Sequence, residues 1–147
     1  MKVYLASSWK NIVMVRKVAE DLRKKDIEVE DFTDPSNGHH TFCWQDIEPS
    51  VRAHLNTKTF VQDHRTVEAY FEDIGRIEWC DALLMIMPCA KSSHIEFGYA
   101  KALGKKCLIY YPGGLVQGEF ETMYVGATLI TDAWDEIVSY LRWGYRT

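Results

Sequence analysis

The stretch Cys80–Tyr111, CDALLMIMPCAKSSHIEFGYAKALGKKCLIYY, constrains the fold more than any other part of the chain. It begins with the apolar run Ala82–Met87, short enough for a buried strand, which Pro88 stops. A helical pattern opens at Ser92 and Ser93, places Ile95, Tyr99, Ala102 and Leu103 on one face, and closes at Gly104. The second apolar run, Cys107–Tyr111, follows at once. Strand, helix and strand with short links make a βαβ unit, whose strands are parallel and whose crossover is right-handed. Ligands of open parallel sheets bind outside the carboxyl ends of the strands. The segment Cys89–Glu96 lies at such an end, and Glu96 is its only carboxylate.

Two readings of Glu96 stand side by side. Ser93-His94-Ile95-Glu96 has the spacing of a capping box, in which the glutamate reaches back to the helix start and meets the positive end of the helix dipole. The other reading places Glu96 in a ligand site. Local sequence alone favours the cap.

Upstream, Lys2–Ala6 reads as the first, central strand. Asn11–Lys25 is an amphipathic helix with Ile12, Val15, Val18, Ala19 and Leu22 inward and a basic last turn, and Ile27–Phe32 is a second strand. Thr66–Trp79 resumes helical spacing, with Val67, Tyr70, Phe71, Ile74 and Ile77 on one face and Asp73 beside that stripe. A helix leading into a central strand can aim its turns across the sheet's carboxyl end, so Asp73 and Glu96 can share a pocket. Downstream, Pro112-Gly113-Gly114 forms a loop, and Glu119–Tyr124 reads as a short helix. Val125–Ile130 reads as a fifth strand, and Asp132 as the cap of a last helix over Ala133–Trp143. The expected fold is α/β: one domain over residues 1–147, a flavodoxin-like or Rossmann-like three-layer sandwich with a mostly parallel five-stranded sheet in the order 2-1-3-4-5.

Regularity breaks over residues 33–60, a long loop holding Pro35, Gly38 and Pro49 together with His39, His40, Phe42, Trp44, Gln45 and His54. Connections of this length are usually functional or disordered, and the aromatic density argues against disorder. His39 and His40 lack companions at a familiar metal spacing, so no metal or other cofactor is expected. The loop's rings either stack on a planar ligand or merely anchor the loop to the body.

The 147 residues can bury about two-thirds of their unfolded surface as one domain. A net charge of −4 argues against a surface built to neutralise nucleic-acid phosphates. No run approaches a membrane span, and the N-terminus lacks the apolar core of a signal peptide. The four cysteines, Cys43, Cys80, Cys89 and Cys107, form no CxxC pair and read as reduced thiols of a cytoplasmic protein. No GxxxxGK[ST] or GxGxxG is present.

Taken together, three segments resemble the nucleoside 2-deoxyribosyltransferase family. VYLASSW (Val3–Trp9) is similar to its first strand, where a tyrosine stands close to the catalytic carboxylate. FEDIGRIEWCDALL (Phe71–Leu84) resembles its helix with an active-site aspartate followed by an apolar strand, and HIEFGYAKALGKKCLIYY (His94–Tyr111) resembles the segment with its nucleophilic glutamate. The resemblance implies Glu96 as nucleophile on C1′ of a (deoxy)ribosyl group, Asp73 as the acid near the base, and Tyr4 as the group that orients Glu96. Substrate contacts are expected from Ser7 and Trp9 after the first strand, from His40 and Trp44 on the long loop, and from Ser92 and Ser93 ahead of Glu96.

One departure bears on substrate. Transferases of this family tend to carry an aspartate six residues before the glutamate, and here that position is Ala90. Relatives that cleave nucleoside 5′-monophosphates use serines on this loop for the phosphate, and Ser92 and Ser93 at a helix N-terminus fit an anion site, with Lys91 adding charge. Simple capping explains the same serines. SSHIEFGYA also resembles TIR-like domains that split NAD, and a non-catalytic nucleotide sensor would use the same pocket. Members of the family often assemble with a neighbour closing the site, so a homo-oligomer is expected, with Trp134, Trp143 and Tyr145 as interface aromatics.

Overall fold

The structure is a computed structural model that describes residues 1–37, 42–115 and 120–144. Five strands, β1 (Lys2–Ala6), β2 (Glu28–Asp31), β3 (Ala82–Ile86), β4 (Lys106–Tyr110) and β5 (Leu129–Thr131), form one sheet in the order β2-β1-β3-β4-β5. Every neighbouring pair is parallel, from Lys2 opposite Glu28 at one side to Tyr110 opposite Thr131 at the other. The helices are α1 (Ile12–Arg23), α2 (Pro49–Arg52), α3 (His64–Trp79), α4 (Lys91–Ala102) and α5 (Trp134–Trp143).

A parallel sheet must be covered on both faces, because its crossovers lie on them. Alternation along β1 shows how this is done. Val3 and Leu5 face the α1 and α5 side, where Val15, Val18, Ala19, Leu22, Ile137 and Leu141 complete one core. Tyr4 and Ala6 face the other side, with Ile77 of α3 and Phe97 and Ala100 of α4. The central strand β3 is buried at all five positions, as its unbroken apolar run requires. No helix among the described residues is long and apolar enough to cross a membrane.

Several expectations need correction. The inward face of α4 is Ser93, Phe97 and Ala100, while Ile95 is 74% and Leu103 43% exposed. On α3, Arg76 and Ile77 are buried and Tyr70 and Phe71 point outward. Both helices turn polar or small residues toward the sheet beside Ile77 and Phe97, and leave Tyr70, Phe71 and Ile95 on the outside, so periodicity of size misreads the face. The capping box is absent. The N-cap of α4 is Ala90, with no side-chain cap bond, which places Ser93 and Glu96 inside the helix. Strand β5 is shorter than expected, because Val125 and Gly126 belong to a 3-10 turn over Thr122–Gly126. Asp132 does not cap α5; Ala133 holds that position, and its N–H donates to Thr131 Oγ1. Gly113 and Gly114, in the loop after β4, both have the positive φ that favours glycine.

Candidate functional site

The buried face of β1 and the inner faces of α3 and α4 meet at one side chain. Tyr4 is wholly buried, and its hydroxyl lies 3.2 Å from Glu96 Oε1 and 3.4 Å from Asp73 Oδ1. The geometry follows from the elements. α3 runs back toward the start of β3, so a residue two turns before its end stands above the middle of the neighbouring β1, and that residue is Asp73. Glu96 lies one turn beyond Ser93 on the inward side of α4. Glu96 therefore faces Tyr4, far from any capping role.

A phenol carries one proton, so Tyr4 donates to one of the two carboxylates at a time. Burial and the two neighbouring acids push the Tyr4 pKa well up, which keeps the hydroxyl a donor. Glu96 is pushed up to about 8, first by burial and then by the Asp73 charge, against the opposing effect of the Tyr4 hydrogen bond. Asp73 is also raised, chiefly by burial, with Arg76 as the main opposing influence. The Asp73 side chain keeps 35% of its surface in solvent, so this acid stands at the boundary between the core and the solvent.

Ser7 ties the strand ends that surround the site. Its hydroxyl donates to the Ile86 carbonyl at 2.8 Å, accepts from Asn11 Nδ2 at 3.2 Å, and its own carbonyl accepts from the Ser93 hydroxyl at 3.0 Å. Ser93 is fully buried, and its hydroxyl is committed to that bond. Ser92 and Lys91 are exposed on the uncapped first turn of α4. Trp9 donates from Nε1 to the Phe42 carbonyl at 2.9 Å and packs edge-on against Phe32. Trp44, partly exposed, packs against Phe42 and Phe60. The Trp9 bond to Phe42 joins the long loop to the body, whereas Trp44 packs on rings of the loop itself. The expected contact His40, with His39, lies outside the described residues. The structure thus brings the Tyr4 hydroxyl within reach of both Asp73 and Glu96 and joins Ser7 to Ser93, one turn before Glu96.

Two residues at the site escaped the sequence reading. Arg76 is 6% exposed and donates to Asp73 Oδ1 at 3.1 Å; its place three residues after Asp73, hence on the same helical face, was the available signal. Asn11 braces Ser7 and the Met87 and Pro88 carbonyls, and nothing in its local sequence distinguishes it from a helix-start asparagine. Among the described residues no three His, Cys, Asp or Glu side chains are arranged to hold a metal ion.

The raised Glu96 pKa carries a stability prediction. Protonated Glu96 is the form the fold favours, so its contribution is complete below the unfolded carboxyl pKa and is lost as pH rises through about 8. Urea unfolding should show the protein weaker at pH 9 than at pH 5.5 by an amount on the order of 3 kcal/mol from this group. Glu96→Gln, which cannot ionise, should remove most of that difference.

No protein-family profile matches the chain, and no curated protein matches it. Solved structures do. A 2-deoxyribosyltransferase from Bacillus psychrosaccharolyticus is 20% identical, with a TM-score of 0.62 over 95% of this chain and 92% of that one. The CMP N-glycosidase of Clostridium botulinum is 18% identical, with a TM-score of 0.53 over 99% of this chain and 100% of that one. A conserved protein from Enterococcus faecalis V583 is 15% identical, with a TM-score of 0.63 over 99% of each chain. The similarity spans whole chains on both sides, and the protein has the nucleoside 2-deoxyribosyltransferase-like fold.

Proposed function

We propose that this protein breaks the N-glycosidic bond of a nucleoside or nucleoside 5′-monophosphate, with Glu96 attacking C1′ and Asp73 protonating the departing base. The observation that carries this reading is the single buried hydroxyl of Tyr4 within reach of both carboxyl groups. Each of the two acids lies so near the same oxygen that their separation cannot exceed the sum of the two distances, a closeness in keeping with double displacement at the anomeric carbon.

Glu96, protonated at rest, first gives up its proton, which Asp73 takes; its ionised oxygen then bonds to C1′, and the C1′–N bond breaks with its electron pair going to the base. Protonated Asp73 supplies the proton that the base takes, a role its raised pKa suits. Tyr4 donates to Glu96 and orients it. In the second step water, in a hydrolase, or a second base, in a transferase, displaces Glu96 from C1′, and Asp73 takes the proton back from the incoming group. Both neighbours of stated activity are enzymes acting on this kind of substrate, one a 2-deoxyribosyltransferase and one a CMP N-glycosidase.

A nucleoside 5′-monophosphate is the favoured substrate. The first turn of α4 has no side-chain cap, so its amide N–H groups remain for an anion, with Ser92 and Lys91 exposed beside them. The Ser93 hydroxyl is already spent on Ser7, so on this reading Ser93 contributes its backbone N–H alone. Ala90 leaves out the carboxylate that would repel a phosphate.

We also infer a homo-oligomer. Tyr70, Phe71 and Ile95, 59%, 66% and 74% exposed, lie on the solvent side of α3 and α4, the two helices that carry Asp73 and Glu96. Of the terminal aromatics, Trp134 instead packs on Tyr110 and donates to Asp21, Trp143 is exposed, and Tyr145 lies outside the described residues. Light scattering should give a multiple of the chain mass, and a monomeric mass would remove the inference.

Chromatography of base released from deoxynucleosides, ribo- and deoxynucleoside 5′-monophosphates and NAD tests the function. Base from a monophosphate should appear with the native protein and fall at least a thousandfold with Glu96→Gln, by analogy with loss of any covalent nucleophile. Nicotinamide from NAD would instead support the TIR-like reading. No release from any of these, with ligand still bound, would make the protein a sensor.

A further inference from the structure

Arg76 is a cation buried among acids. Its Nη1 donates to Asp73 Oδ1 at 3.1 Å, its Nη2 stands 3.6 Å from Glu72 Oε2, and its Nε stands 3.8 Å from Glu30 Oε2 on β2. Only the first of these three is within hydrogen-bond distance. The atom it selects, Asp73 Oδ1, is the same atom that competes with Glu96 Oε1 for the Tyr4 hydroxyl.

We propose that Arg76 is a positioning residue that allocates the proton of Tyr4: by donating to Asp73 Oδ1 it supplies that oxygen with a strong donor and leaves the phenol hydrogen for Glu96. This rests on the reading of Glu96 as the attacking group. A charge-assisted bond from a guanidinium outcompetes a neutral phenol for a carboxylate oxygen, and the Tyr4 distances agree, 3.2 Å to Glu96 against 3.4 Å to Asp73. Arg76 thereby acts on Glu96 without touching it. The charged and titratable groups around it are Tyr4 from β1, Glu30 from β2, Glu72 and Asp73 from α3, and Glu96 from α4. One cation stands among four acids. Its charge lowers Asp73 and Glu96 against the burial that raises both. A strut joining α3 to β2 would explain the Glu30 contact, but it would leave the Tyr4 proton indifferent to Arg76.

A double-mutant cycle separates the two roles. Arg76→Lys keeps the charge and loses the planar fork that aims Nη1 at Asp73. The readout is the titration midpoint of Glu96, followed by carboxyl carbon NMR on glutamate-labelled protein, with the resonance assigned by its loss in Glu96→Gln. Folding of each variant is checked by circular dichroism. In the native background Arg76→Lys should raise the Glu96 midpoint by about half a unit to one unit, the scale of one redirected hydrogen bond. In a Tyr4→Phe background, where no phenol proton exists to redirect, it should raise it little. If Lys is not accommodated, Arg76→Gln serves in the same cycle, since the loss of charge adds alike to both backgrounds and cancels.

An unmoved Glu96 midpoint in folded Arg76→Lys, or an equal shift with and without the Tyr4 hydroxyl, would overturn the proposal and leave Arg76 as a strut. The titration needs no substrate. Failure of the native protein to release base would therefore count against the N-glycosidase reading alone, with the Arg76 result still legible. In active protein the acid limb of kcat/KM should move with the Glu96 midpoint, and kcat should fall more than KM rises.

Discussion

Burial of the Tyr4 hydroxyl between two carboxyl groups is the contact on which the organisation of the site depends. A buried phenol must find a partner, and this one is offered two acceptors that repel each other when both are charged. The fold resolves that conflict with proton and charge. Glu96 is held largely protonated at neutral pH, and the Arg76 guanidinium bonds to Asp73. The result is a pair of acids in unlike surroundings, one backed by a cation and open to solvent, the other more enclosed.

The backbone holds that arrangement through the strand ends. Ser7 closes β1, grips the end of β3 through the Ile86 carbonyl, and receives the Ser93 hydroxyl from α4. Asn11 braces the same junction from the start of α1. The first turn of α4 is thus fixed to the sheet from beneath, while its uncapped amides face outward. A rigid strand edge carrying an open helix start is the usual ligand-binding end of parallel sheets. The long connection before α3 docks on this end through Trp9 and Phe42.

Much of the fold was legible because a buried parallel strand has little freedom of composition. Ala82–Met87 and Cys107–Tyr111 are apolar runs with breakers between them, and a βαβ unit is what joins two such runs across so short a helix. The sheet order followed. The helix faces did not, because α3 and α4 spend their inward positions on Asp73, Arg76, Ser93 and Glu96, and a hydrophobicity pattern reads those as solvent positions. The same polar residues are the ones that form the site. Glu96 and Asp73 were singled out by their place in the pattern, but Tyr4 and the roles of all three came through resemblance to a family, since no spacing rule relates a strand residue to two helix residues far along the chain. Ser93 and Glu96 imitated a capping box for a local reason: serine and glutamate three apart fit either role, and only the tertiary partners Ser7 and Tyr4 decide. Arg76 went unread because an arginine near a helix end ordinarily serves the dipole.

A glycosyl group bonded to Glu96 is the species on which the whole account turns. Incubating the protein with a 2-deoxy-2-fluoro nucleoside 5′-monophosphate, whose fluorine slows the second displacement, and digesting it after an acid quench would show it directly. The account predicts a peptide spanning Glu96 heavier by one fluoropentosyl-phosphate group, with release of one equivalent of base and no adduct in Glu96→Gln. Base released in repeated turnovers with no adduct on that peptide, or an adduct on another residue, would contradict it.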